Sequence, residues 1–544
     1  MAGLHFGGLA DAYLEWAVAS GFKWLDVHST HPDQVDLLVQ GCSHPSNSIA
    51  VASSTKQLLN TGLSALPVWS RMELVQAVTL IKTIKKPTQE NLNPKNAVLG
   101  LIDSGIGVAW LKSWKRSMGH RGRQVFHWDM ESASADPVPR VSHGAHVLSW
   151  LAGQPPYVGF GFDTDQASRC PLMLVNLPEL AVEDPTGRWL GRYVLEGLDY
   201  MVEQAIAIQA KRLVVNISWG PQTGPHDGSS LLERALGQRI DQAKQSGLEL
   251  SVVVAAGNSR DSRAHAQFDT DKGCNLLTWV VPPAGPAPCF LELWWPPGTD
   301  VSQVNVTVQA PDGRSFWMSG AGLVSQHNAH LAIVPHPIAG SRVRPMALLA
   351  LNPTGDTTQA APHGRWQISV KAMDGAADRV HAYVARQAAN MGGRYRGADS
   401  HLDDPTYGQQ RWRRQPGPAI PGGLVTREAT LSGLATATHP RVHVTAGAIG
   451  STGQPAAYSS EGSAGERHPD WALPTDDTPL LQGVLGSGSR PGAAVRLVGT
   501  SMAAPQLARL LLNGHPPLPP PALPWDPRLG QGVATLGWTS RQRA

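Results

Sequence analysis

The chain is poor in cysteine, in charge of one sign and in long apolar runs. Four cysteines (Cys42, Cys170, Cys274 and Cys289) are scattered over 544 residues with no C-x-x-C pair, which argues against a zinc site. Cys274 and Cys289 could close one small loop in an oxidising compartment; otherwise the pattern is that of buried, reduced thiols. Lys and Arg number 45 against 42 Asp and Glu, a net charge of +3. That excludes the basic footprint of a nucleic-acid partner and a charged solvating tail. No apolar run reaches the roughly 20 residues that cross a bilayer. Residues 1–11 carry no basic stretch, and Asp11 and Glu15 interrupt the apolar residues that follow. They do not read as a signal peptide, so a cytoplasmic location is expected over a secreted one.

What is plentiful is glycine (56) and proline (44), as in a loop-rich enzyme with substantial β-structure. The length leaves room for two or three domains.

Four stretches carry chemistry. Leu497-Val498-Gly499-Thr500-Ser501-Met502-Ala503-Ala504-Pro505 ends a short apolar approach in Gly-Thr. It then places Ser501 ahead of Ala503, Leu507, Leu510 and Leu511 at helical spacing. A serine there can be no more than a helix cap. Ala97-Val98-Leu99-Gly100-Leu101-Ile102-Asp103-Ser104-Gly105 is a continuous apolar run, as expected of a strand buried on both faces, ending in an acid. Asp-Ser-Gly is also ordinary turn chemistry. In Val141-Ser142-His143-Gly144-Ala145-His146-Val147, His143 stands at the entrance of an apolar helix. Val252-Val253-Val254-Ala255-Ala256-Gly257-Asn258 closes another buried strand with an amide. Each residue has a plain structural reading, as turn acid, core histidine, strand-end amide or cap. Together they supply a nucleophile, a base, an orienting carboxylate and an oxyanion donor.

These stretches resemble the subtilisin-like serine peptidases. Gly499 to Pro505 match the family's Gly-Thr-Ser-Met-Ala-Ala-Pro at every position, and His143 to Val147 match its His-Gly-Thr-His-Val except at Ala145. The order Asp103, His143, Ser501 is the subtilisin order. A fifth segment, Val214-Val215-Asn216-Ile217-Ser218-Trp219-Gly220, resembles the strand that lines the family's substrate cleft. The resemblance implies a serine endopeptidase in which Ser501 attacks the peptide carbonyl, His143 moves the proton, Asp103 orients His143 and Asn258 faces the oxyanion. Ser218, Trp219, Gly220, Ala256 and Gly257 would line the cleft, with an extended peptide pairing along 218–220. Trp219 stands where a smaller apolar residue is common, so it either narrows the cleft or offers an aromatic wall. His146 reads as structural. The expected partner is a protein or peptide. No cofactor is expected; calcium stabilises many members, but no compact acidic loop here carries it. The alternative is a catalytically silent binding scaffold of the same fold, which would have no reason to keep four separate chemical residues. No Gly-x-Ser-x-Gly elbow surrounds Ser501, which disfavours an α/β-hydrolase esterase.

The expected fold class is α/β: a subtilisin-like parallel sheet with helices on both faces, plus an inserted β-sandwich of jelly-roll type. Residues 1–92 read as mixed helical patterns, amphipathic at 12–25 and helical again at 74–81. They would form either an extra packing layer or a propeptide cut within 86–94. The catalytic core occupies 93–274 and 424–538. Between them, 275–387 shows period-two strands such as Val304, Val306, Val308 and Trp366, Ile368, Val370. A linker occupies 388–423, and 539–544 is a tail.

Overall fold

The structure is a computed structural model. It describes residues 12–20, 34–41, 49–55, 69–74, 97–106, 123–130, 143–153, 165–178, parts of 182–189, 190–514 with short breaks, and 524–534. The breaks fall at 271–274, 339–342, 357, 373–377, 388, 392–393, 397, 405–422, 464–466 and 491–492. The expected helix beyond residue 74 and the expected cut region at 86–94 lie outside the described residues.

Seven strands form a wholly parallel sheet. Its order is Trp471–Asp476, Val442–Ile449, Glu249–Ala255, Arg212–Ile217, Ala97–Asp103, Leu172–Asn176 and Val125–Asp129. Both faces are covered, which is why the central strands are continuous apolar runs rather than alternating ones. Val98, Ile102, Met173, Val175, Val215 and Val254 point into one core with the helices Gly191–Ala207 and Leu231–Gln245. Leu99, Leu101, Leu174, Val214 and Val253 point into the other, with the helices His143–Ala152 and Ala504–Leu512. Gly100 permits the close packing, since a Cβ there would stand 2.7 Å from Met201 Sδ and 2.9 Å from Val215 Cγ2. The helix at 231 starts on a capping box: Ser230 Oγ accepts from the Glu233 amide and the Glu233 carboxylate returns to the Ser230 amide. Such a box is worth about 1 kcal/mol. The strand Val125–Asp129 was hidden in sequence, because five residues including His127 and Asp129 at a sheet edge show no apolar run.

Chain order sets the working end of this sheet. After the central strand at 97 the chain lays down one edge (125), returns to fill the place beside the centre (172), and then builds outward on the other side (212, 249, 442, 471). Ligands of open α/β sheets bind at the carboxyl ends of the strands beside such a reversal.

The second large unit is a pair of antiparallel sheets. One runs Ser315–Ser319, Val304–Gln309, Gly364–Ala372, Asn275–Val281, His401–Asp403. The other runs Gly322–Gln326, Ala329–Pro337, Val343–Leu351, Cys289–Trp294, Arg379–Val384, His265–Asp269, Val425–Thr426. Trp279, Val306, Trp366 and Ile368 of the first sheet meet Leu291, Leu331, Leu349 and Ala382 of the second in one core. Strands of this unit therefore occur on both sides of 275–387. His401–Asp403, inside the stretch read as a linker, forms a sheet edge; three residues are too few to show a period.

The N-terminal region differs most from its sequence reading. It holds a helix, Ala12–Ala19, and a three-stranded antiparallel sheet in the order Ile49–Thr55, Gln34–Gly41, Trp69–Leu74. The helix is shorter than 12–25 and is not amphipathic: Ala12 to Val18 are all buried, Glu15 included. Tyr13, Trp16 and their neighbours cover the outer face of the larger antiparallel sheet at Phe290, Trp294, Leu348 and Tyr383. The Trp16 ring meets Phe290 edge-on at 4.9 Å. At this junction the fully buried Glu292 carboxylate accepts from Tyr13 Oη (2.8 Å), Trp294 Nε1 (2.8 Å) and the Gly224 amide of the parallel-sheet unit (2.9 Å). Three donors from three segments compensate the cost of burying that charge. Arg344, also buried, pairs with Asp227 at 2.8 Å and lies over Trp294.

Cys170 and Cys289 are buried free thiols. Among the described residues no helix is long and apolar enough to cross a membrane.

Candidate active site

Asp103 ends the central strand, and its side chain is buried. Oδ1 accepts from the Ser104 amide (2.8 Å) and from His143 Nδ1 (2.7 Å). The neighbouring strand steadies the turn: Asn176 Oδ1 accepts from the Ile106 amide and Asn176 Nδ2 donates to Asp129, both at 2.8 Å.

His143 is the first residue of its helix. Gly144 brings it onto the acid: its amide donates to the Ser104 carbonyl (2.8 Å), and a Cβ there would collide with that oxygen and stand 2.7 Å from Ile106 Cγ1. Two opposing influences set the imidazole's protonation. Burial pulls its pKa down, while the Asp103 charge and hydrogen bond pull it up and together prevail, so the pKa lies above the ordinary value. With Nδ1 donating to a carboxylate, the neutral ring carries its lone pair on Nε2.

One turn on, His146 is fully buried, and burial pushes it down to about 4. As a neutral ring it donates from Nε2 to the Val484 carbonyl at 2.9 Å. A Cβ at Gly486 would stand 2.5 Å from that ring, so the strand Val484–Ser487 lies flat on the His143 helix. Trp150 Nε1 donates to the Leu485 carbonyl and the Ser487 amide donates to Ser149 Oγ, extending the contact.

Ser501 sits in a short 3₁₀ turn, Thr500–Met502, that leads into the helix Ala504–Leu512. Two hydrogen bonds tie it to Ser218: Ser501 Oγ donates to the Ser218 carbonyl (3.2 Å), and Ser218 Oγ donates to the Ser501 carbonyl (3.1 Å). Asn216 Nδ2 in turn donates to Ser218 Oγ at 3.0 Å.

Asn258 is exposed just past its strand. Its Oδ1 accepts from the Thr500 amide (2.9 Å) and from Thr500 Oγ1 (3.1 Å). With the oxygen so occupied, Nδ2 is the outward donor. Thr500 is fully buried, and its Oγ1 also accepts from the Gly257 amide at 3.0 Å. One threonine thereby joins the loop of the nucleophile candidate to the loop of the amide. Sequence reasoning noted Thr500 only as a motif position; its place beside Ser501 was the available signal. Gly499 before it adopts φ +136°, with a Cβ position 3.1 Å from Asn258 Nδ2, so only glycine suits the approach.

The residues expected to line a cleft lie in two segments. Ser218, Trp219 and Gly220 follow one strand, and Ala256 and Gly257 follow the next. Trp219 is half-buried against the core, its indole nitrogen 2.9 Å from where a Gly187 Cβ would stand. Ser432, which sequence reasoning missed, meets both segments. Its amide donates to the Ala256 carbonyl (2.7 Å), and a Cβ at Gly220 would stand 2.6 Å from its Oγ. The adjacent Gly433 amide donates to the Pro221 carbonyl at 2.7 Å.

No protein-family model matches the chain, and no curated protein matches it. Among solved structures, the CspB protease of Clostridium perfringens superposes at TM-score 0.58 with 19% identity, over 81% of this chain and 92% of that one. A cycloisomaltooligosaccharide glucanotransferase of Paenibacillus sp., solved with cycloisomaltoheptaose, overlaps at TM-score 0.11 and 10% identity, over 37% of this chain and 31% of that one. That overlap is too slight to bear on the fold. The match to the CspB protease, together with the parallel seven-stranded sheet and its β-rich companion, gives this chain a subtilisin-like fold.

Proposed function

We propose that the protein is a serine endopeptidase. The observation that carries this reading is the 2.7 Å hydrogen bond from His143 Nδ1 to Asp103 at the carboxyl end of the central strand. It leaves Nε2 as the base and stabilises the imidazolium formed when that base takes a proton. Ser501 Oγ attacks the scissile carbonyl, passing its proton to His143 Nε2. The carbonyl oxygen becomes an oxyanion facing Asn258 Nδ2 and the Ser501 amide. Collapse of this adduct breaks the C–N bond, and His143 gives the proton to the leaving amine. Water then repeats the sequence on the acyl-enzyme and frees Ser501. In the free protein the Ser501 hydroxyl points to the Ser218 carbonyl. It must turn towards Nε2 when substrate enters, as nucleophile–base bonds often tighten only in the complex.

The same reading assigns peptide binding to the segment after residue 217. Among the described residues nothing pairs with the Trp219 and Gly220 backbone groups, so an extended substrate can add there as a strand. The subtilisin-like fold shared with a protease supports the same reading.

The test is labelling with a fluorophosphonate, located by mass spectrometry. The expected adduct is on Ser501, absent from Ser501→Ala, with hydrolysis reduced by about 10⁶-fold. Folded protein that takes no label, or takes it elsewhere, would return the chain to the reading of a silent scaffold.

A further inference from the structure

The seven exposed large apolar side chains among the described residues are not scattered evenly. Leu480 (97% exposed), Leu481 (49%) and Val498 (48%) lie at one end of a single hairpin, whose strands Val484–Ser487 and Ala494–Leu497 pair with Val484 opposite Leu497. That register brings Gly483, where the loop 477–483 closes on itself, opposite Val498, three residues before Ser501. A lone exposed leucine needs no explanation, whereas a cluster beside a reactive centre does.

The loop that presents the leucines is tied down. The Gly483 amide donates to Asp476 Oδ1 (2.6 Å), the Leu481 amide donates to Thr478 Oγ1 (2.9 Å), and Arg496 bridges Asp477 and the Gly483 carbonyl. It follows the strand Trp471–Asp476, so it projects from the same carboxyl edge of the sheet as Asp103 and Asn258. Leu480 buries nothing within the fold.

The hairpin's position bears on which part of a substrate it would meet. In the proposed reaction His143 delivers a proton to the leaving amine, so the residues beyond the scissile bond lie on the His143 side of Ser501. The acyl side lies along Ser218 to Gly220. The hairpin packs directly on the His143 helix, through Val484 on His146 and Leu485 on Trp150. We infer that Leu480, Leu481 and Val498 form a binding surface for apolar side chains on the leaving-group side of the cut. The occupant is the substrate chain itself, because the surface is continuous with the site where the leaving amine is released. This inference rests on the endopeptidase reading.

The experiment uses the full chain and a peptide mixture from a digest of defined proteins, with cut positions read by mass spectrometry. Wild type is expected to favour Leu, Ile, Val, Met or Phe within the first two residues after the cut by about tenfold over Asp or Lys, the scale of one good apolar contact. Leu480→Ser/Leu481→Ser should flatten that preference to under about twofold. Leu276→Ser, exposed on the antiparallel unit, should keep it. Thermal unfolding checks that each variant is folded. Labelling of Ser501 with a flat wild-type profile, or a profile unchanged by the double variant, overturns this inference alone. A wild type that sediments as a dimer, with the double variant a monomer, assigns the patch to self-association and also overturns it. Absence of both labelling and cleavage brings down the endopeptidase reading, and this one with it.

Discussion

The junction between the two units encloses three histidines and the turn at Asp103 holds one, and the rings at the two places are driven in opposite directions. His226, His265 and His381 stack around Tyr383, with His226 4.0 Å and His265 4.4 Å from its ring. His265 Nε2 and His381 Nδ1 are 3.0 Å apart. Burial is the leading influence on all three, and no carboxylate opposes it. Their charged neighbours are one another, Arg344 and Arg379, so His226 is pushed down to about 3, His381 to about 4 and His265 well below the ordinary value. Asp227, next to His226 in the chain, is paired with Arg344. At His143 the same leading influence is overcome by Asp103. Enclosure alone makes an inert ring; enclosure against a fixed carboxylate makes a base poised to take a proton.

The largest break in that comparison is Asp103→Asn. It should cut kcat/KM by about 10⁴-fold through loss of the correct tautomer and of imidazolium stabilisation. His143 should lose its raised pKa, moving the acid limb of the pH–kcat/KM profile to lower pH. A limb that stays in place would mean another group sets it.

Next is Trp366→Ala, in the core of the antiparallel unit. It should cost about 3–5 kcal/mol of stability while leaving the pH profile on short peptides in place, since among the described residues that core is separate from the one beneath Ser501. Denaturant unfolding beside rate measurements would show this.

Thr500→Val is expected to be smaller, about ten- to a hundredfold in kcat with little change in KM. It leaves Asn258 present but frees its amide from one of two anchors. An equal rise in KM would point to damage in the cleft rather than to the oxyanion.

The smallest effect concerns stability against pH. A histidine whose folded pKa lies below its unfolded value contributes stability above about pH 6.5 that is lost as pH falls. Each such ring should cost about 1 kcal/mol between pH 6.5 and 5.5. His143, raised in the folded state, acts in the opposite sense: its contribution is full below about 6.5 and is lost as pH rises through the folded value. His381→Asn should therefore blunt the acid-side fall in Tm, whereas His143→Asn should not.

Legibility in the sequence followed the physics of each region. Strands buried on both faces announced themselves as unbroken runs at 97–103, 172–176 and 252–255, and the sandwich strands showed period two because one face meets the core. The residues proposed for catalysis were named in advance because each lies in a motif at a strand or helix end. Thr500 and Ser432 were not singled out, because their roles are hydrogen bonds to distant loops, 242 and 176 positions away at Asn258 and Ala256. The N-terminal strands went unread because short apolar runs suit helix and strand equally. The helix at 12–19 was read as half-exposed because its second cover comes from residues near 290, which no local window contains.

That last contact also bears on how the protein is made. Tyr13 and Glu292 are separated by 279 positions. At a synthesis rate of roughly 5–20 residues per second, the helix emerges about 15 to 55 seconds before the first strand that will cover it. Eight residues cannot hold a helix alone in water, and in that interval Tyr13, Leu14, Trp16 and Val18 have no surface to cover. The nascent chain thus carries these apolar side chains uncovered for that interval, a target for holding factors. Only when the strands that carry Phe290, Leu348 and Tyr383 have all been made can the junction close.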